Sequence, residues 1–191
     1  VRDRLLHRAL YRKLYRFFDR TFISDSFSCR IGKGTHRAMD RFRFFAGKES
    51  NNHTKTVWIL KCDVRKFFAS IDHTILLRMV SERIADADIV WLISEIVGTF
   101  NSGRIGVGLP LGNLTSQLLA NVYMNELDQF VKGALRVRRY IRYADDFVIL
   151  SHSRSFLEKI LPTIRDFLSN DLRLVLHPEK VSICTMASGA D

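Results

Sequence analysis

Apolar residues recur every three or four positions over residues 5–20, at Leu6, Leu10, Leu14 and Phe17, which predicts an amphipathic helix. Beside that stripe Arg8, Arg12, Arg16 and Arg20 form a basic ridge at i, i+4 spacing. Like charges at that spacing repel, so an acidic partner would relieve the strain. Residues 28–37 read as a basic turn punctuated by Gly32 and Gly34, with a helix following from Ala38 to Phe45. The polar run 47–55 reads as a loop. Residues 57–64 are apolar and β-prone, as a buried strand requires. Two helices follow, over 74–84, capped by Asp72 or Thr74, and over 88–97. Residues 101–113, rich in Gly with one Pro, read as a loop with special backbone positions. Asn113 is a good N-cap for a long helix through Leu118, Val122, Leu127 and Val131. Short strands at 139–143 and 147–150 flank Ala144-Asp145-Asp146, a hairpin signal. A helix over 156–168 contains Pro162, which predicts a kink. Strands at 172–177 and 181–184 complete the pattern. The order is a basic helix and turn, then β-α-α-loop-α-β-β-α-β-β. It predicts an α+β fold in which one sheet carries helices on one face.

Composition narrows this picture. With 191 residues and 47% hydrophobic content, the chain can bury the core of one domain, or of one domain plus a subdomain. An aromatic content of 11% argues against disorder. No apolar run reaches membrane-spanning length, so no membrane partner is expected. Val1-Arg2-Asp3-Arg4 does not resemble a signal peptide, and without a starting Met the chain reads as a piece of a longer protein. Cys29, Cys62 and Cys184 are far apart, odd in number and without zinc spacing, which fits reduced thiols in a cytoplasmic protein. The six histidines are scattered, which argues against a histidine metal site. The net charge of +10 is unevenly spread. Residues 1–48 hold 13 Lys and Arg against 4 Asp and Glu, and the remainder holds 17 against 16. A basic front on a near-neutral body predicts a polyanion gripped mainly by one end.

Two acidic positions interrupt apolar strands. Asp63 follows Trp58-Ile59-Leu60-Lys61-Cys62, and Asp145 and Asp146 lie between Tyr140-Ile141-Arg142-Tyr143 and Phe147-Val148-Ile149-Leu150. A carboxylate at a buried strand end is costly unless it is paired or metal-bound. Adjacent carboxylates also repel, and a divalent cation removes that penalty. If the two strands are neighbours, Asp63 and Asp145 bracket one site. Oxygen ligands without His or Cys suit Mg²⁺. Because strand residues alternate faces, Asp145 is expected as the direct ligand and Asp146 as its support.

At this point the sequence resembles a known family. Tyr143-Ala144-Asp145-Asp146 looks like the YxDD motif of reverse transcriptases, and the flanks Ile141-Arg142 and Phe147-Val148-Ile149-Leu150 match bacterial members. The segment from Lys61 to His73 resembles the family's first catalytic segment. Gly108-Leu109-Pro110-Leu111-Gly112-Asn113-Leu114-Thr115-Ser116-Gln117 resembles the segment that opens the long palm helix. Leu176-His177-Pro178-Glu179-Lys180 resembles the lysine segment after the active site, and Cys29 to His36 the fingers segment. Five segments occur in the family's order. The resemblance implies a right-hand palm, an antiparallel sheet with helices packed on one face, plus a small, largely helical fingers part. The fingers part is expected over 1–56 and the palm over 57–191, with the primer grip and thumb missing after Gly189-Ala190-Asp191.

The implied activity is RNA-directed DNA synthesis, with an RNA template, a DNA or RNA primer, dNTPs and two Mg²⁺ ions, or Mn²⁺ in their place. Asp63, Asp145 and Asp146 are implied as catalytic residues, and Asp63, Val64 and Asp145 as metal ligands. Arg30 and Lys33 would hold the triphosphate, the first as a fork and the second as a point charge. Phe68 would be the steric gate against a ribose 2′-OH. Strict alternation would instead put Phe67 on the Asp63 face, so the strand must end or twist between the two. Leu111 and Gly112 would lie against the base pair, and Gln117 and Lys180 would reach the nucleotide. Gly112-Asn113-Leu114-Thr115-Ser116-Gln117 is similar to the enzymes of diversity-generating retroelements, which implies an error-prone polymerase and a possible accessory protein. Group II intron enzymes usually carry Pro-Gln-Gly where this chain has Pro110-Leu111-Gly112, a departure that argues against an intron maturase. The rivals are a palm-fold nucleotide cyclase, which Tyr143-Ala144 does not fit, a nucleic-acid-binding scaffold that no longer polymerises, a group II intron-type enzyme, and a plain basic α+β domain.

Overall fold

A computed structural model describes residues 2–52, 54–100 and 102–186, the side chains of Arg2 and Asp3 excepted. Residues 187–191 lie outside the described residues, as do Val1, His53 in the expected loop at 47–55 and Asn101 in that at 101–113.

Helix α1 spans Arg2–Phe18 and is followed by a 3₁₀ turn, Asp19–Thr21. Its buried face is Leu10, Leu14, Tyr15 and Phe18. Leu6 and Phe17 of the expected stripe are 41% and 46% exposed. Four-residue steps keep Leu10, Leu14 and Phe18 on one side, whereas Phe17 rotates about 100° away from Phe18. Helix α2, Thr35–Glu49, starts earlier and ends later than the apolar pattern indicated. Strand β1, Trp58–Asp63, stops at the first acid. A one-turn helix α3, Phe67–Ser70, follows, entered through Lys66 at φ +47. Helix α4, His73–Ser81, is capped by the Asp72 carboxylate, which accepts from the Ile75 N–H. Helix α5, Ala87–Gly98, is capped in the same way by Asp86.

Helix α6, Leu114–Gln129, is capped by Asn113 as expected and ends in a π-helical turn, Phe130–Ala134. It is buried on nearly every side, because α1 packs on one flank and α4 and α7 on others. Strands β2, Tyr140–Tyr143, and β3, Asp146–Ser151, form the hairpin. Helix α7, Arg154–Leu172, runs through Pro162. Strand β4, Ser182–Thr185, closes the sheet.

The sheet is antiparallel, in the order β2-β3-β1-β4. The strand expected over 172–177 does not form. Leu172 ends α7, Arg173 takes φ +50, and the segment touches the sheet through one bridge, Val64 to Leu176. Strand β4 occupies that edge of β1 from Trp58 to Lys61, so only the end of β1 is left to pair. The outer edge of β2 is covered by residues 25–27: Phe27 N–H donates to Arg142 O and Arg142 N–H donates to Asp25 O.

Period-two alternation divides the sheet into two faces. Leu60, Cys62, Tyr140, Phe147 and Ile149 enter the main core with α1, α4, α6 and α7. Ile59, Ile141 and Leu150 point the other way, where Phe45 and Ala46 of α2 cover part of the sheet. Helices therefore pack chiefly on one face, as expected, and α2 caps a corner of the second. Residues Leu10 to Phe22 share the main core with 57–176, so the front segment is fastened to the sheet-bearing part. No helix among the described residues is long and apolar enough to cross a membrane. All three cysteines are free.

Candidate active site

β1 and β3 are neighbours, and their register sets Asp63 directly opposite Asp146. By alternation both belong to the α2 face, which α2 covers chiefly over β2 and β3. The open end of that face holds the acids. Asp145 sits in the two-residue hairpin turn between the paired residues Tyr143 and Asp146. The first turn residue, Ala144, has φ +56, a left-handed value rare for a residue with a Cβ. That twist lets two consecutive aspartates serve one site. The structure places Asp146, and not Asp145, straight across from Asp63.

The charges are crowded. Burial, then the neighbouring Asp145 and Asp63 carboxylates and a hydrogen bond with Asp63, push the Asp146 carboxyl up to about 6. Burial and the charge on Asp63 also raise Asp145, against the opposing pull of its own backbone N–H, Lys180 and Arg142. One cation already stands there: Lys180 Nζ donates to Asp63 Oδ2 at 2.8 Å. A β-turn delivers it, since Lys180 N–H donates to His177 O with Pro178 at the second position. His177 N–H donates in turn to Asp63 O.

Val64 offers a further candidate oxygen, its carbonyl. Its bridge to Leu176 is made by the flanking residues, His177 to Asp63 O and Arg65 to Val175 O. In such a pair the central residue turns its own N–H and C=O to the opposite edge, here the edge of β3 and the Asp145 turn. Three clustered carboxylates, two of them (Asp145 and Asp146) with raised affinity for protons, and a carbonyl on the same edge could hold a hard divalent cation. Among the described residues no three His, Cys, Asp or Glu side chains already form a finished cage, and Asp63 is engaged with Lys180.

The other expected site residues divide into two groups. Phe68 and Gln117 meet Cys29, Asn121, Arg142 and Ala144 around one narrow cleft beside the hairpin turn. The strand does end before the two rings. Phe67 is buried, Phe68 is half-buried, and they meet edge to face at 5.4 Å. Gly112 has φ +92 with open space around it, so conformation alone calls for glycine there. Leu111 beside it is 77% exposed, which removes it from the core.

Arg30 and Lys33 are not brought to the carboxylates. The Arg30 guanidinium is buried and donates to Asp19 Oδ1 at 2.7 Å, to Ile23 O at 2.6 Å and to Ser26 O at 3.0 Å. With its fork committed to the protein, Arg30 ties the front segment together here. Lys33 donates to Ser24 O at 2.7 Å and sits over the Phe27 ring. Burial and the neighbouring Arg30 lower its pKa.

Sequence reasoning missed the group that holds the turn. Fully buried Arg142 forms two hydrogen bonds with Asp128 and donates through Nη1 to Asn121 Oδ1 at 3.1 Å and to Ala144 O at 2.8 Å. Tyr140 donates to the same Asp128, and Asn121 Nδ2 reaches Ser28 O at 3.0 Å. The signal was present: Asn121, Asn125 and Asp128 share one side of the long helix, among the apolar residues of 118–127.

The comparisons with known proteins agree with this architecture. The family described as reverse transcriptase (RNA-dependent DNA polymerase) matches residues 1–190. Protein YkfC of Escherichia coli K12 is 26% identical across 96% of this chain and 57% of its own length. The group II intron-encoded protein LtrA of Lactococcus lactis is 25% identical across 92% of this chain and 26% of its own length. The chain thus spans little more than half of the first and a quarter of the second. Apo telomerase of Candida tropicalis, truncated from its C-terminal domain, superposes with a TM-score of 0.69 at 12% identity, over 97% of this chain and 41% of that one. That likeness is one of fold.

Proposed function

The chain belongs to the reverse transcriptase family, and from that premise we propose that it forms the fingers and palm, over 1–56 and 57–191, of an RNA-directed DNA polymerase. The observation that carries the reading is the register of Asp63 against Asp146, with Asp145 in the adjoining turn. Asp63, Asp145 and the Val64 carbonyl would hold two Mg²⁺ or Mn²⁺ ions, with Asp146 in support. Bound there, such ions would neutralise charge on the attacking and leaving oxygens of an in-line phosphoryl transfer.

The chain's own residues supply the rest. Lys180 compensates the carboxylates and stands where the incoming phosphates would approach. The Phe68 ring fills the space of a ribose 2′-OH. Gln117 lines the cleft that would receive the base, exposed Leu111 would pack against the base pair, and Gly112 would let the backbone come close. The partners are an RNA template, a DNA or RNA primer and dNTPs, in the cytoplasm.

Two retroelement settings have support. The string from Gly112 to Gln117 favours an error-prone, diversity-generating type with an accessory protein. The likeness to LtrA favours a group II intron type. Primer extension by the full-length enzyme tests the activity. Asp145→Asn should abolish it with an unchanged melting temperature, and activity above about a thousandth of wild type would overturn the assignment.

A further inference from the structure

A cleft of about 700 Å³ opens along α1, lined by Tyr11, Arg12, Lys13, Tyr15 and Arg16, with Ile31 as its far wall. The lining holds three cations and no carboxylate. The nearby carboxylate of Asp19 is committed to Arg30 at 2.7 Å. The Tyr11 and Tyr15 rings lie 5.1 Å apart, tilted by 32°, and Tyr11 is only half-buried. Ile31 is 74% exposed, yet its N–H donates to the Tyr15 hydroxyl at 2.7 Å, which pins the loop to the helix. The cleft therefore has fixed walls, an aromatic floor, an aliphatic edge and a rim of positive charge.

A duplex offers phosphates but keeps its base faces stacked. An unpaired strand offers both, and cations beside an exposed ring suit it. We propose that this cleft binds single-stranded nucleic acid, with a base against Tyr11 and Ile31 and the flanking phosphates on Arg12, Lys13 and Arg16. The segment carrying Ile31 also lines the catalytic cleft through Cys29, two residues earlier. A strand leaving one cleft can cross this loop into the other. The inference rests on the polymerase reading, because it names the strand that such an enzyme would hold beyond its active site.

The test is fluorescence anisotropy of this chain with a labelled single-stranded oligoribonucleotide and, separately, an RNA–DNA duplex. Tyr11→Leu keeps apolar bulk and removes the ring, and should weaken single-strand binding about tenfold while duplex binding changes less than about twofold. Arg12→Gln with Arg16→Gln should reduce the salt dependence of both. Ile31→Ser, at an exposed site, should weaken single-strand binding even if Tyr11→Leu fails to fold. Unchanged single-strand affinity in both Ile31→Ser and a folded Tyr11→Leu would overturn the proposal. So would competition by poly-glutamate as strong as by RNA, which would assign the cleft to an acidic protein. Asp63→Asn separates this inference from the premise: it should leave binding intact while it removes primer extension. Binding as proposed with no extension by the wild-type enzyme would overturn the polymerase reading alone.

Discussion

The Arg142 guanidinium meets the Asp128 carboxylate at 2.7 Å with both side chains fully buried, and a third Arg142 bond holds the Ala144 carbonyl of the hairpin turn. A buried ion pair is weak evidence of net stability, but breaking one leaves an uncompensated charge in the core. Asp128→Ala should therefore lower stability by about 3–5 kcal/mol, read by chemical denaturation. Arg142→Met with Asp128→Leu removes both charges and should recover much of that loss. The double variant should nonetheless fail in primer extension, because Ala144 at φ +56 has lost its clamp. Full activity in the double variant would show that the pair serves the fold alone.

Lys180 and a divalent ion would compete for one carboxylate. The ammonium already donates to Asp63, and that contact with the nearby acids raises its pKa. Lys180→Met should tighten Mn²⁺ binding to this chain, measured by water-proton relaxation, because the ion no longer displaces a resident cation. It should also slow primer extension if the ammonium meets the phosphates. Weaker Mn²⁺ binding in the variant would mean that Lys180 shapes the site instead of competing for it.

Acid should loosen the junction between α7 and α4. Burial pushes the Asp72 carboxyl up, but the N–H groups of Ile75 and Thr74 and the Arg173 guanidinium, 2.6 Å away, outweigh it and hold the pKa below its ordinary value. A depressed carboxylate stabilises the fold above its unfolded pKa of about 4 and loses that contribution as pH falls through the folded value. Asp72→Asn should lower stability at neutral pH and flatten the acid limb of a stability profile below about pH 4. An acid limb as steep as that of wild type would assign the loss to other groups.

Much of the fold could be read from spacing. The hairpin, the Asn113 cap and the long helix follow from local chemistry, whereas the pairing of the two acid-bearing strands entered only as a condition that the sheet then met. What stayed hidden depended on distant partners. The segment 172–177 is β-prone, but β4 had taken the edge it needed. The family resemblance implied a phosphate fork at Arg30, and the ion pair it makes in this structure, with Asp19 eleven positions away, could not be read from its neighbours in sequence. The acids were legible as a site. That Asp146 would face Asp63 across the sheet required the register of β1 against β3, a pairing between segments far apart in the chain.

Phe68 tests the sugar gate. Its ring is half-buried against Phe67 and lines the cleft with Gln117 and Ala144. Phe68→Ala should raise ribonucleotide incorporation relative to deoxyribonucleotide. A purely structural ring would instead cost about 3–5 kcal/mol with no change in sugar preference. Measuring melting temperature and sugar discrimination together separates the two.

Leu111 bears on fidelity. Its side chain is 77% exposed between Pro110 and Gly112, so it contributes little to the palm core and is free to meet a ligand. A polar residue at this place could hydrogen-bond the sugar or the template base and help hold a correct pair. Leucine can only pack. Losing one such contact costs on the order of 1 kcal/mol, about fivefold in discrimination. Leu111→Gln should therefore lower misincorporation roughly fivefold in the full-length enzyme. Because the wild-type side chain is exposed, the change should leave the melting temperature nearly unmoved. Misincorporation is counted separately opposite each template base, since a contact to the template would act unevenly across the four and a contact to the sugar evenly. Error rates equal to wild type opposite all four bases, with normal extension, would show that Leu111 does not set fidelity.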